Sequence, residues 1–129
     1  MRTVLLVILL GMAGMCYGSQ EGRENTAAVL LLAADWLQTR QMASQPVYAW
    51  VETAPGVYVT TGEQWSEMNP ILGRHPSVGQ VDTYFLGSLV VYVAAQKLLP
   101  ERWATFHRRA TIAVEVTCVV RNLTLGYTF

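Results

Sequence analysis

The sequence predicts an all-α membrane protein with two membrane-spanning helices, a short amphipathic helix, an N-terminal signal helix and a small β-hairpin. Three observations lead to this fold class. The 129 residues are 52% hydrophobic and 14% charged, whereas a soluble domain carries about 25% charged residues. Two apolar segments, 81–99 and 110–127, are long enough to cross a bilayer. The first residues have the pattern of an export signal.

Residues 1–18 are predicted to be a secretory signal peptide. Arg2 supplies a positive charge, and Val4 to Met15 form an uninterrupted apolar run ahead of Ser19, as such signals require. An uncleaved anchor helix is the alternative, and both readings predict export. The remaining residues, 19–129, are enough for a single helical membrane domain.

The segment from Thr26 to Arg40 is predicted to form the amphipathic helix. It has about a dozen residues before its polar end, whereas a span needs roughly 20. Asp35 and Thr39 are four residues apart and therefore share one face. We expect this helix to lie on the membrane or to pack against its neighbours, with a short span as the alternative.

Residues 41–80 are predicted to form an exported loop that ends in an elbow. Around an Ala-Pro-Gly turn, "VYAWVETAPGVYVTT" is rich in β-branched and aromatic residues, which favours a small hairpin or an extended loop. Its aromatic side chains suit the level of lipid headgroups: Tyr48, Trp50, Tyr58 and Trp65.

The elbow is the stretch "SEMNPILGRHPSVGQVD", which contains two X-Pro steps. Pro70 fixes its own φ, and the two prolines keep Asn69 and His75 out of helical geometry. Ser77 or Asp82 is expected to cap the helix that follows, because each can accept a bond from a free N–H group. The pattern predicts a structured turn leading into the first membrane helix.

Both predicted spans carry a polar stripe. On 81–99 the stripe is Ser88, Tyr92 and Gln96, and on 110–127 it is Thr111, Glu115, Cys118 and Asn122. Charged groups at bilayer depth are costly and usually face a partner or a functional cavity, so Glu115 is the most informative single residue. Either it pairs with a donor on another helix in a functional site, or it makes a purely structural hydrogen bond between helices.

The densest basic cluster lies between the two spans, in "PERWATFHRR". Short arginine-rich loops stay in the cytoplasm. This predicts a bacterial inner-membrane protein with residues 19–80 exported to the periplasm, one span running inward and the other running outward.

Several motifs together resemble a family of small, uncharacterised exported or membrane proteins of proteobacteria and their phages. They are "ADWLQTR", "EMNPILGRHPS", "VDTYF" and "VVRN", and the resemblance extends from about Thr26 to Phe129. It implies an α-helical membrane-associated protein with a signal sequence and implies no activity. The segment between Arg40 and Glu67 is longer here than in the family pattern.

The predicted function is that of an envelope interaction or assembly protein without catalysis. The net charge of zero gives no basis for nucleic-acid binding. No CxxC, Cys/His or HExxH spacing is present, so no metal, cofactor or catalytic residue is expected. The expected partners are the lipid bilayer and either a second copy of the chain or another membrane protein.

Two alternatives come from other functional classes. One is a phage-encoded membrane-permeabilising or lysis-accessory protein, and the other is a membrane-embedded enzyme or proton-linked carrier that uses Asp35, Glu67 and Glu115. A metal or general-base group of His75 with Glu67 and Asp82 is a further hypothesis. The candidate functional or structural polar residues are Asp35, Thr39, Glu67, Asn69, Pro70, His75, Asp82, Glu115 and Asn122.

Overall fold

The computed structural model describes residues 19–67 and 69–127, and the predicted signal peptide at 1–18 lies outside this range. Three helices make up most of the described chain, with a two-stranded antiparallel sheet between the first two. The prediction of a mainly helical fold with a small hairpin is confirmed. The helices are α1 (Gln20–Ala43), α2 (Val78–Leu98) and α3 (Glu101–Thr124), and the strands are β1 (Tyr48–Ala54) and β2 (Val57–Glu63).

Helix α1 contains the predicted helix over 26–40 and extends it at both ends. Ser19 begins it, because its hydroxyl accepts a hydrogen bond from Gly22 N–H at 3.1 Å and so satisfies an otherwise unpaired donor. One face of α1 is buried along its length, with these members: Asn25, Ala28, Val29, Leu32, Asp35, Gln38, Thr39 and Met42. Most of the polar members lie in the second half of the helix.

Strands β1 and β2 form the predicted hairpin around Pro55-Gly56. Gly56 has a φ of +78°, a left-handed conformation that glycine adopts without steric cost. In the regular part of the sheet, Trp50 pairs with Thr60, Val51 with Val59 and Glu52 with Tyr58. The strands pack on each other rather than on the helices, so the hairpin stands away from the bundle.

The proline-rich stretch between β2 and α2 forms a compact turn. Gly73, with a φ of +76°, donates its N–H to the Asn69 carbonyl oxygen at 3.0 Å. Ser77 is the N-cap of α2 and forms a capping box with Gln80. The Ser77 hydroxyl accepts from Gln80 N–H at 3.3 Å, and the Gln80 Oε1 atom accepts from Ser77 N–H at 2.8 Å. Of the two predicted caps, Ser77 is therefore the one that is used.

Replacing Ser77 by alanine is expected to lower the free energy of unfolding by about 1 kcal/mol. The reason is that an N–H group of the first turn of α2 loses its acceptor. Thermal unfolding in mild detergent, followed by circular dichroism at the helix band, measures the loss. Ser66→Ala is the matched control, since Ser66 caps no helix, and equal effects of the two variants would contradict the role of the cap.

The arginine-rich stretch predicted to be a cytoplasmic loop is the first part of α3, which begins at Glu101 rather than at Ala110. Pro100 has no N–H group to continue α2, so the chain turns there and restarts as a helix. Arg108 can leave solvent because carboxylates of α1 pair with it. The predicted loop is therefore wrong, and the membrane orientation deduced from it loses its basis.

The prediction of two membrane-spanning helices is also wrong. Within residues 19–67 and 69–127, α2 alone is long and apolar enough to cross a membrane. Helix α3 is continuous, but charged residues occur along its length and interrupt its apolar sequence, namely Glu101, Arg102, Arg108, Arg109, Glu115 and Arg121. The apolar run that predicted a second span begins midway along this helix.

The apolar core lies between α1 and α2. Its buried members are Ala28, Val29, Leu32, Val81, Phe85 and Tyr92, and the Trp36 ring stacks on the Phe85 ring with centroids 6.4 Å apart. Helix α1 contacts α3 most extensively and α2 next, whereas α2 and α3 contact each other least. This arrangement leaves an open groove between α2 and α3.

Candidate functional site

The buried carboxylate of Asp35 is the centre of the candidate site. Asp35 lies on α1 and is 8% exposed. Its Oδ1 atom accepts a hydrogen bond from the Asn122 side-chain amide at 2.8 Å and a longer one from the Thr39 hydroxyl at 3.4 Å. Asp35 and Thr39 share a face of α1 as the sequence predicts, and Asn122 reaches them from α3. Three of the predicted polar residues thus form one network.

Asp35 is coupled electrostatically to two further carboxyl groups, since Glu67 acts on Asp35 and Asp35 acts on Glu115. Burial, together with the charge of Glu67, raises the pKa of Asp35 to about 6. Burial, together with the charge of Asp35, raises the pKa of Glu115 to about 7. In both cases the charged form is disfavoured because water is excluded and another acid lies nearby. The sequence-predicted acids Asp35, Glu67 and Glu115 therefore belong to a single electrostatic cluster.

Both hypotheses for Glu115 predict that its carboxyl group accepts a hydrogen bond from another helix, and one of its two oxygen atoms accepts none from the described part of the chain. Its Oε2 atom is buried and accepts no hydrogen bond from the described residues. A buried acceptor without a donor costs free energy, and protonation lowers that cost by removing the charge. Glu115 thus has the properties of a group that holds a proton near neutral pH.

The two predicted polar stripes meet in the groove between α2 and α3. The groove has a volume of about 490 Å³. Polar or aromatic side chains on its walls include Ser88, Tyr92, His107, Thr111 and Glu115. The stripe of α2 continues past the groove to Gln96, whose amide lies 3.3 Å from the His107 Nδ1 atom. Glu115 therefore connects the Asp35 network with an opening on the outside of the bundle.

The polar residues of the elbow do not join this cluster, with the exception of Glu67. Asn69 forms part of the turn, because its N–H donates to the Glu67 Oε1 atom at 2.9 Å and its Oδ1 atom accepts from Ile71 N–H at 3.0 Å. Pro70 follows within the same turn. Turn formation therefore explains the presence of Asn69 and Pro70 in the elbow.

His75 contacts other groups than those predicted for a metal or general-base site. Its Nε2 atom lies 3.4 Å from the Glu63 Oε1 atom, and its ring meets the Trp65 ring edge-on at 5.2 Å. Asp82 is occupied elsewhere, and no group of three or more His, Cys, Asp or Glu side chains among the described residues could hold a metal ion. The hypothesis of a site formed by His75, Glu67 and Asp82 is not supported by these contacts.

Asp82 links α1 to α2. Its Oδ1 atom accepts from the indole N–H of Trp36 at 2.8 Å and from Nε of Arg40 at 3.0 Å. All three groups are partly buried. Its role in this arrangement is to fix the start of α2 against the end of α1.

A second polar network, at the opposite end of α1, was not predicted. Arg108 is 4% exposed and donates to Glu24 Oε2 at 3.0 Å and to Gln96 Oε1 at 2.9 Å. Beside it, the Tyr92 hydroxyl donates to Asn25 Oδ1 at 2.7 Å. The sequence does contain a signal for this network. The acids Glu21 and Glu24 at the start of α1 are opposite in charge to Arg108 and Arg109, which the prediction placed in a solvated loop.

The carboxyl cluster is buried at Asp35 and half-buried at Glu67 and Glu115. Next to an open groove, such a cluster can exchange protons or offer an acceptor to a bound group, and it also ties α1 to α3. The Arg108 network, in contrast, is an ion-pair cluster that joins all three helices. Comparisons of the chain with protein-family models, with curated proteins and with solved structures give no match.

Proposed function

We propose that the chain is a small integral membrane protein in which α2 enters the bilayer, with a role in interaction or assembly in the cell envelope. The exposed apolar surface of α2 is the observation that carries this proposal. On its outer face Leu86 is 46% exposed, Val90 68%, Val91 62% and Leu98 81%. Soluble monomeric proteins rarely expose a contiguous apolar surface of this kind.

The length and the charge distribution of α2 agree with a span. Its 21 residues rise about 30 Å, the thickness of the hydrocarbon layer. No charged residue lies between Asp82 and Lys97. Asp82 has its partners on α1, and the long side chain of Lys97 can extend from the end of the helix to the interface.

The neighbouring α3 also exposes apolar side chains. Val114, Val120 and Leu123 are 58, 54 and 43% exposed. Such a surface offers lipid or a partner helix a place to pack, and packing between helices in lipid depends on close van der Waals contact.

Cell fractionation tests the membrane proposal. The full chain, expressed in bacteria, is expected to remain in the membrane pellet after alkaline carbonate extraction. Replacing both Leu86 and Val90 by lysine should release much of it, since each lysine at bilayer depth costs about 3 kcal/mol. The matched control places two lysines at the exposed positions Gln41 and Thr53 and should stay in the pellet. A water-soluble monomer in the absence of detergent would overturn the proposal.

The assembly role needs its own experiment. Crosslinking in native membranes followed by pull-down is expected to recover one defined membrane partner or a second copy of the chain. Loss of that product on replacing Val120 by lysine, at unchanged membrane insertion, would locate the contact on α3. A chain that crosslinks to nothing under these conditions would contradict an assembly role.

A proton-linked carrier or membrane enzyme is the second candidate, because Asp35, Glu67 and Glu115 form one electrostatic cluster. In this case Glu115→Gln should abolish proton flux into vesicles that contain the purified chain and a pH-sensitive dye. Glu101→Gln, on the exposed first turn of α3, is the control and should leave the flux unchanged. Absence of flux with the unmodified chain, correctly inserted, would argue against the carrier.

A further inference from the structure

The hairpin of β1 and β2 exposes large side chains on both faces. Trp50 and Tyr58 are 65% and 59% exposed on one face, and Val51 and Val59 are 47% and 46% exposed on the other. A two-stranded hairpin is at best marginally stable in water. A surface that covers one of these faces would therefore stabilise it.

The base of the hairpin is fixed at the end of the bundle where α2 begins. Gln64 N–H donates to the Val47 carbonyl oxygen at 2.8 Å. The indole N–H of Trp65 donates at 3.3 Å to the carbonyl oxygen of Gln45, just beyond the end of α1. From Trp65 the chain passes through the elbow to Val78, the first residue of α2. A bilayer that α2 enters therefore has its surface close to the hairpin.

We propose that the hairpin lies in the headgroup region of a zwitterionic phospholipid bilayer, with its Trp50 and Tyr58 face towards the lipid. This inference rests on the proposed function, because it takes α2 to be in the bilayer. Trp50 pairs across the strands with Thr60, and Tyr58 with Glu52, so all four side chains share one face. Tryptophan and tyrosine are enriched at this level of membranes because an apolar ring carries a polar group.

The backbone of the hairpin and the Glu52 carboxylate limit how deeply the hairpin can enter the bilayer. Each strand of a two-stranded sheet has one edge outside the ladder, and hydrocarbon cannot satisfy backbone N–H and C=O groups there. Glu52 is on the lipid-facing side of the sheet. One oxygen of its carboxylate accepts from Gly56 N–H at 2.8 Å, and the charge still requires water or headgroups. The hairpin therefore stops at the headgroup layer.

The charge of the hairpin selects the kind of lipid. Residues 46–65 include Glu52 and Glu63 and contain no lysine or arginine. Arg74 of the elbow pairs with Glu63 at 2.8 Å, so Glu52 is the acid that gives the hairpin its negative charge. An anionic surface would repel rather than attract this segment, so aromatic burial has to drive the contact. We therefore expect the contact to form on phosphatidylcholine and to be insensitive to salt.

Depth-dependent quenching tests the inference. An environment-sensitive fluorophore is attached to the full chain through Thr60→Cys, with Cys16 and Cys118 replaced by serine, in phosphatidylcholine vesicles. The vesicles carry a nitroxide either on the headgroup or deep in the acyl chain. The headgroup nitroxide is expected to quench the label at least about twofold more than the deep one. A label at Val90→Cys, on the outer face of α2, should show the reverse order.

Paired substitutions then separate the two faces. Replacing Trp50 and Tyr58 by serine should reduce headgroup quenching at position 60 by about twofold, whereas replacing Val51 and Val59 by serine should leave it unchanged. Equal losses in both variants would overturn the assignment of the aromatic face.

The remaining outcomes distinguish this inference from the proposed function. If the label at Val90 is quenched and the label at Thr60 is not, the hairpin is not in the headgroup layer and α2 is still in the bilayer. If neither label is quenched, the membrane proposal fails and this inference fails with it. Self-quenching at Thr60 that increases with the protein-to-lipid ratio would show that a second copy covers the hairpin, which also overturns the inference.

Discussion

Replacing Arg108 by methionine is expected to destabilise the bundle by about 3 kcal/mol. Arg108 is almost completely buried and donates to Glu24 on α1, to Gln96 on α2 and, at 3.3 Å, to the Thr105 hydroxyl on its own helix. Methionine keeps much of the side-chain volume but removes the donor to Gln96 and one of the two arginine partners of Glu24. Thermal unfolding of the purified chain in detergent, followed by circular dichroism, measures the effect.

The adjacent arginine provides the control. Arg109 also contacts Glu24, at 3.2 Å, but its side chain is 60% exposed, so Arg109→Met should cost less than about 1 kcal/mol. Arg108 and Arg109 both hold the pKa of Glu24 below its ordinary value, and Arg108 is the stronger influence. Equal losses for the two variants would mean that the buried network does not stabilise the contact between the helices.

Replacing Asn122 by aspartate is expected to cost about 3 kcal/mol at pH 8, because it places a second carboxylate beside Asp35 in a buried site. In the wild type the Asn122 amide donates to Asp35 Oδ1 at 2.8 Å. The variant replaces this donor by an acceptor of the same size. As the pH is lowered the two carboxyl groups can share a proton, so most of the loss should disappear near pH 5.

The wild-type chain should show a weaker dependence of the same sign. The folded-state pKa of Asp35, about 6, lies above the unfolded value of about 3.9. The stability due to protonated Asp35 is therefore fully present below about pH 4 and is lost as the pH rises through 6. Unfolding measured across this range in both proteins gives the comparison.

Exchanging the two side chains tests the cause. The double variant Asp35→Asn with Asn122→Asp keeps one carboxylate and one amide in contact, and it should recover most of the stability lost at pH 8. A double variant no more stable than Asn122→Asp would show that carboxylate repulsion is not the source of the loss.

Local patterns in the sequence were sufficient to predict the elements whose formation depends on residues close together in the chain. The β-branched and aromatic residues around Pro55-Gly56 predicted a hairpin or an extended loop, and the hairpin forms. Ser77 was one of two residues predicted to cap α2, and it is the one used. The apolar run ending before Pro100 predicted α2 nearly to its last residue. In each case the residues that form the element are neighbours in the chain.

The errors came from pairings that span the chain. Arg108 was assigned to a loop because arginine is usually solvated, and its burial depends on Glu24, which lies 84 residues away. The last helix was predicted to start at Ala110, because the apolar run begins there. It starts at Glu101, where residues that favour a helix follow a proline. The sequence grouped Asp35 with Glu67 and Glu115 in one hypothesis but did not pair Asp35 with Asn122, and only the packing of α1 on α3 brought those two together.

The contact between Asp35 and Asn122 joins residues 87 positions apart. At a synthesis rate of about 5–20 residues per second, roughly 4–17 seconds separate their emergence. During that interval the nascent α1 carries a carboxylate without its amide donor, in a segment otherwise rich in aliphatic side chains. Docking of α1 on α3 is therefore a late event in biogenesis, and until it occurs the face of α1 that α3 covers is accessible to chaperones and quality-control proteases.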